Sequence, residues 1–573
     1  MTECVDGDLQ TAYVRGGAYT RDFLFNTDEL KALVADLSDD EIASLYRGAH
    51  DPVKIYAAYS AAIAHKDQPT VILTQGVKGF GLGTTSAEGR NVAHNALEMS
   101  EAELKAFRDR FKLPLTDKEL AQLIFSKPKK DSAEMKYLHA QREKLGGFLP
   151  SRQVLSQPLT VPGLAAFDAV LQGSADRTLS TTMVLGRILT VLLKDKIIGP
   201  RIVPIFSDEV RTFGLESLFR QVGIYSHVGQ LYTPEDKEQF LFYHETKEGQ
   251  VLEEGITEAG CMSSWIAAAT SYTNHRYPMV PFFTYYSMFG FQRVGDFIWA
   301  AGDMRARGFL IGATAGRTTL EGEGLQHQDG TSLLSAANVP NCRAYDPAFG
   351  YEMAVIIQHG LVEMVAEEKD VFYYIMAMNE RYIQPAMPKG MEEGIIKGMY
   401  LFSKGDKAKH KVQLLGSGAI LNEVIAAAEL LQKDFAVSAD VWSVTSFSEL
   451  QREGVAIERS SMFAPEKKSA TPYVKQCLQD HAGPVIAATD YVRAYAELIR
   501  PYVPRTYVTL GTDGFGRSDT RENLRRFFEV DRYYIVIAAL YALMKEDEIK
   551  PSQITAAIKK YGIDPKKPNP VSV

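Results

Sequence analysis

The stretch "MVPFFTYY", Met279–Tyr286, decides the fold. A strand with one wet face alternates polar and apolar residues, and this run does not. It reads as a strand covered on both faces by helices. "IVPIF" from Ile202, "GFLIGATA" from Gly308, "VFYYIMA" from Val371, "VQLLG" from Val412 and "VIAAT" from Val485 read the same way. Helical patterns lie between them. In Ser180 to Lys194, Val184, Ile188, Val191 and Leu192 recur at three- and four-residue steps behind Ser180 as a cap. Strand and helix alternate, so the fold class is α/β, with parallel sheets flanked by helices and right-handed crossovers.

A chain of 573 residues exceeds a single core and should form three or four units. Residues 97 to 160 are charged and helical, ending at Pro and Gly, which suits a linker over a surface. One boundary is expected near Val161 and another in "IQPAMPKGMEEG", Ile383 to Gly394, where Pro and Gly interrupt the pattern. The expected units are residues 1–100 with a helical linker at 101–160, a central domain at 161–387 and a C-terminal domain at 388–573. The net charge of -8 argues against a nucleic-acid partner. Cys4, Cys261, Cys342 and Cys477 are scattered without metal-ligand spacing, which suits a reduced, cytoplasmic protein. "YYIVIAALYALM", Tyr533 to Met544, is too short to span a membrane and should be a core helix. The opening "MTECVDGDLQ" lacks the pattern of a signal peptide.

Several stretches could carry chemistry. "GITEAG", Gly255 to Gly260, sets Glu258 before the apolar run "CMSSWIAAATSY". A Glu in a first turn complements the helix dipole, which is the ordinary reading; a half-enclosed carboxylate can also serve as an acid or base. "GVKGFGLGTTSAEGRNVAHN", Gly76 to Asn95, is a glycine-rich loop after the strand-like "PTVILTQ" and offers Lys78 and His94. It lacks the spacing of a phosphate loop. Asp208 and Glu209 follow "IVPIF", and a salt bridge to Arg211 is the commoner outcome for such a pair. "YYSMFGFQR" clusters aromatic rings at a strand end, where a flat heterocycle could lie. "EGEGLQHQDG" sets His327 among carboxylates, an arrangement suited to proton transfer. "GTDGFGRSDTRENLRRFF" places Asp519 and Glu522 as a capping box opening a helix.

Taken in order, "RGAHDPVKIYAAY", "VKGFGLG", "NVAH", "YLHAQREKLGGFLPSR", "DEVRTFGLESLFRQVGIY", "EGITEAG", "YYSMFGFQR", "GRTTLEGEGLQHQDG" and "GTDGFGRSDTRENLRRFFEVD" resemble the homodimeric bacterial type of pyruvate dehydrogenase. That enzyme is the thiamine-dependent first component of the pyruvate dehydrogenase complex. The resemblance runs from end to end. It implies a transketolase-like, thiamine-diphosphate-binding fold whose first unit is incomplete. It also implies pyruvate as substrate, the lipoyl domain of the acetyltransferase as partner, and a homodimer. By the same resemblance Glu258 hydrogen-bonds a pyrimidine nitrogen of the cofactor. Phe289 faces the pyrimidine, and Ile256 lies beside it. Asp208 and Glu209 line the pocket and its dimer contact. His327 and Tyr286 stand near the substrate carboxylate and the developing alkoxide. His94 sits on a mobile loop that helps the lipoyl transfer, and Lys78 lies at the base of that loop.

The family holds its diphosphate through magnesium, with a Gly-Asp-Gly motif followed about thirty residues later by Asn. The nearest match is "VDGD", Val5 to Asp8, with no Asn in reach. The resemblance therefore places the magnesium ligands before this chain, which alone should be inactive and expose apolar surface. Two other readings stay open: a non-catalytic dimerising or assembly relative, and a transketolase-type enzyme.

Overall fold

A computed structural model describes residues 3–5, 7–45, 48–83, 86–95, 98–148, 156–208, 210–235 and 243–573. The chain divides into two compact units, Met1–Pro150 and Ser151–Val573.

The first unit is helical among its described residues, with longer helices at Pro52–Ala64, Glu101–Arg110 and Ala133–Lys144. Ser100 opens the second of these by a capping box. Its hydroxyl accepts from the Glu103 amide, and the Glu103 carboxylate accepts from the Ser100 amide. "PTVILTQ" departs from the sequence expectation: it forms no strand, and Val71 and Leu73 are 80% and 92% exposed. A strand exists through the ladder it shares with a neighbour, and the Ala49 amide donating to the Gln75 carbonyl does not make one. Helix Pro52–Ala64 likewise buries none of its residues. The glycine-rich loop is anchored by Glu88. That buried carboxylate accepts hydrogen bonds from the Gly83 amide, the Tyr13 hydroxyl and the Arg110 guanidinium.

Among its described residues the second unit holds two large sheets and two short two-stranded ones, Thr178–Leu179 against Tyr382–Ile383 and Ile224–Tyr225 against Glu245–Thr246. The larger is built from β1 (Ile202–Phe206), β2 (Leu252–Glu253), β3 (Val280–Tyr285), β4 (Phe309–Gly312), β5 (Cys342–Tyr345) and β6 (Phe372–Met376). Their order is β2-β1-β3-β4-β6-β5, and every pairing is parallel. β3 is buried at all six positions, as its unbroken apolar run requires. Helix Thr181–Lys194 turns an apolar face into the same core as Ile202 and Phe206 of β1, and the Ser180 hydroxyl accepts from the Met183 amide as its cap.

The second sheet runs β7 (Met399–Ser403), β8 (His410–Gly416), β9 (Val437–Val444), β10 (Val485–Ala488) and β11 (Tyr507–Leu510), in the order β7-β9-β8-β10-β11. Only edge strand β7 is antiparallel to its neighbour. "YYIVIAALYALM" lies within helix Arg532–Lys545, whose Ile535, Val536 and Leu540 are buried. The helix after Asp519 is capped one residue later than expected. Thr520 accepts from the Asn523 amide, because the Asp519 carboxylate is spent on the Thr520 amide and the Asn523 side chain.

The two large sheets of this unit are tied by buried charge. Asp490, just past β10, accepts from the amides and hydroxyls of both Thr318 and Thr319 in the loop after β4. Arg525 binds Glu380 and Glu423, and Arg532 forks onto Glu423.

Candidate functional site

In an open parallel sheet the C-terminal ends of the strands are where loops can gather around a ligand. Here β1, β2, β3 and β4 deliver Asp208, Glu258, Tyr286 with Phe289, and His327 to that end.

Glu258 is the first residue of helix Glu258–Ala269, and Thr257 caps the helix by accepting from the Gly260 amide. Behind the acid the helix buries Cys261, Met262 and Trp265, and Glu258 itself is only 8% exposed. The carboxylate is not alone. Its Oε1 accepts a hydrogen bond of 3.2 Å from the Arg293 guanidinium, whose Cζ lies 3.8 Å from the Phe289 ring centroid. A flat, delocalised cation thus rests on the ring while donating to the acid.

The rings continue from there. Phe289 meets His327 edge to face at 5.3 Å, and His327 stacks on Tyr286 at 4.9 Å with the planes 6° apart. Tyr286 in turn meets Phe213 at 5.6 Å. His327 Nδ1 lies 3.0 Å from Glu323 Oε2. A carboxylate can only accept, so Nδ1 donates and Nε2 is left to face other groups. Gly290 makes the turn possible, since a Cβ there would lie 2.3 Å from the Tyr285 ring.

Glu258, Phe289, Tyr286 and His327 therefore form one neighbourhood. Asp208 is exposed at the end of β1 in the left-handed region, with φ of 74°. Ile256 is 73% exposed. Glu209 lies outside the described residues. Lys78 and His94 are exposed in the first unit, where Lys78 lines a cavity of about 260 Å³ together with Arg90. Among the described residues no group of His, Cys, Asp and Glu is arranged to hold a metal ion. Among the described residues no helix is long and apolar enough to cross a membrane.

Sequence reasoning missed Arg293 and Glu323. Glu323 carried a signal, since it lies four residues before His327. Arg293 stood at the end of the quoted aromatic motif, but its approach to Glu258 crosses between the ends of two strands.

Comparison with known proteins agrees in both halves of the second unit. Residues 159–385 match the pyruvate dehydrogenase E1 component middle domain, and residues 398–531 match the transketolase-like C-terminal domain. The whole chain is 58% identical to the pyruvate dehydrogenase E1 component of Pseudomonas aeruginosa and 52% identical to that of Escherichia coli strain K12. It spans 65% and 64% of the length of these two relatives. Among solved structures, transketolase from Campylobacter jejuni aligns with a TM-score of 0.58 at 18% identity, covering 94% of this chain and 76% of that one. That likeness gives the fold, a transketolase-like α/β architecture. Along its whole length the chain is thus similar in sequence to part of the pyruvate dehydrogenase E1 component, and it carries the middle and transketolase-like C-terminal domains that these matches describe.

Proposed function

We propose that this chain takes part in the thiamine-diphosphate-dependent oxidative decarboxylation of pyruvate, with reductive acetyl transfer to the lipoyl group of the acetyltransferase component. The observation that carries the reading is the pairing of an enclosed carboxylate, Glu258, with an aromatic face, Phe289, at the C-terminal ends of parallel strands. Arg293 already seats a flat nitrogen cation against both, so the pair fits a ring that must be stacked and hydrogen-bonded at once. The cofactor supplies a carbanion and an electron sink.

Glu258 would hold and pass a proton at the pyrimidine nitrogen, with Arg293 moving aside, and Phe289 and Ile256 would flank the ring. Asp208 and Glu209 would line the same pocket and its dimer contact. His327, oriented by Glu323, and Tyr286 would face the substrate carboxylate and the developing alkoxide. His94 would serve the lipoyl transfer, with Lys78 at the base of its loop. Magnesium would accompany the diphosphate. The partners are then pyruvate, the lipoyl domain and a second copy of the chain. Four free cysteines support a reduced, cytoplasmic setting. We propose the same organisation as the sequence suggests, with the diphosphate side in 1–100, a linker at 101–160, the pyrimidine side in 161–387 and a C-terminal domain in 388–573.

The test is Glu258→Gln in the longest polypeptide that contains this sequence. Carbon dioxide release from pyruvate is measured with thiamine diphosphate, magnesium and an artificial electron acceptor. Loss of a positioned acid or base costs about 10²–10⁴-fold, so a drop of that size with an unchanged circular dichroism spectrum is expected. Normal turnover by the variant would overturn the assignment.

A further inference from the structure

A cavity of about 470 Å³ opens on the second unit between the short helix Asp168–Leu171, helix Thr181–Lys194 and the loop before helix Ser217–Val222. Its size falls in the range of small-molecule sites. Phe167, Val170 and Val191 give it an apolar wall, and Phe167 and Val170 are buried. Arg177 and Arg187 line the same cavity, and no carboxylate does.

The two arginines differ from their neighbours in the fold. Arg307, Arg343, Arg525 and Arg532 each meet a carboxylate. The Arg177 and Arg187 guanidinium groups have no hydrogen bond, ion pair or ring contact with any described residue. Arg187 is half-buried on the helix. A guanidinium drawn part-way out of water beside apolar walls gains most from an anion, and its fork fits a carboxylate or phosphate head. Convergent cations over an apolar floor, in a chain of net charge -8, match a ligand with a charged head and an apolar body.

We propose that this cavity is a binding site for a small amphipathic anion. Its carboxylate or phosphate head lies at Arg177 and Arg187, and its apolar body rests on Phe167, Val170 and Val191. The site backs onto the one described above. Gly214 and Ser217 line the cavity, and the adjoining Phe213 packs on Tyr286. Occupancy therefore bears on the loop at residues 210–217, whose Phe213 meets the Tyr286 ring that stacks on His327.

Binding of hexyl phosphate, hexanoate and neutral hexanol to the 573-residue chain is measured by calorimetry and ligand-observed NMR. Hydrogen exchange is followed in parallel. At least one anion should saturate a single site, and hexanol should bind at least about tenfold more weakly, since a charge-assisted hydrogen bond contributes about that much. The stronger of the two heads identifies the ligand class. The double variant Arg177→Gln/Arg187→Gln should weaken anion binding by about tenfold or more. Ala169→Trp, at an exposed position that lines the cavity, should block it with the fold unchanged. Slowed exchange should map to residues 164–191 and 210–217. Failure of both anions to bind below about 10 mM, full affinity in the double variant, equal binding of hexanol, or protection mapping elsewhere would each overturn the proposal.

Discussion

Asp346→Asn should raise stability at high pH and leave it unchanged at low pH. Asp346 follows β5, is 1% exposed, and has no hydrogen-bond partner for either carboxylate oxygen among the described residues. Burial pushes its pKa from 3.8 up to about 8 against the opposing pull of the nearby Ser417 hydroxyl, and the acids Asp490, Glu352 and Asp329 push the same way as burial. The folded protein thus keeps a proton that the unfolded chain releases above pH 4. Between about pH 4 and pH 8 unfolding releases that proton, so the Asp346 contribution to stability falls as pH rises and reaches its floor above pH 8. The interval spans about four pH units at about 1.4 kcal/mol each, a ceiling of about 6 kcal/mol. Water entry and local relaxation absorb part of it, leaving about 2–4 kcal/mol to measure.

The Asn variant has no proton to lose, and its stability relative to the parent isolates this one group. All three tryptophans, Trp265, Trp299 and Trp442, lie in the Ser151–Val573 unit, so urea unfolding followed by tryptophan fluorescence reports that unit. The difference between variant and parent should be smallest near pH 4, grow steadily to about pH 8 and favour the variant by its full amount at pH 9. A difference that is flat across this range, or a variant less stable at pH 9, would refute the reasoning.

The other expectations concern the contacts that join the two sheets. Arg525→Met leaves the Glu380 carboxylate only its 4.0 Å contact with Arg521 and removes one of the two cations at Glu423, and should lower stability by about 3–5 kcal/mol, read from thermal and urea unfolding. Asp490→Ala removes the acceptor for two amides and two hydroxyls, which should cost about 3–5 kcal/mol and speed amide exchange at Thr318 and Thr319. Equal exchange at those amides in parent and variant would contradict the clasp.

The strands of the larger sheet were legible because burial on both faces leaves its mark in the strand's own residues. The run from Val280 to Tyr285 has no room for polar alternation, and the structure buries all six positions. "PTVILTQ" carries the same mark but stays unpaired, because a periodicity reports what a segment wants to bury and not whether a neighbouring strand is there. The Ser180 cap was readable three residues before Met183, whereas at Asp519 two adjacent cap formers competed and only geometry chose Thr520.

At the site, the sequence pointed to Glu258, Phe289, Tyr286 and His327, and the fold sets these four side by side. Arg293 went unread because charge pairing between loops leaves no periodic trace. The same holds for Glu88 and Arg110, which meet across 22 residues of chain. Asp346 sits in "AYDPAFG", whose Asp-Pro pair looks like an ordinary turn, and nothing local announces that it is buried.

The grip of Asp490 on Thr318 and Thr319 bears on how this protein could be recombined. A chimaera that joins the first 387 residues to the C-terminal half of a distant homologue would inherit the two threonines from one parent and their acceptor from the other. Such a hybrid should assemble well only when the donor also carries an acid at the position of Asp490. Directed-evolution libraries crossing over in the Pro- and Gly-rich junction at 383–394 should therefore show that linkage among their survivors.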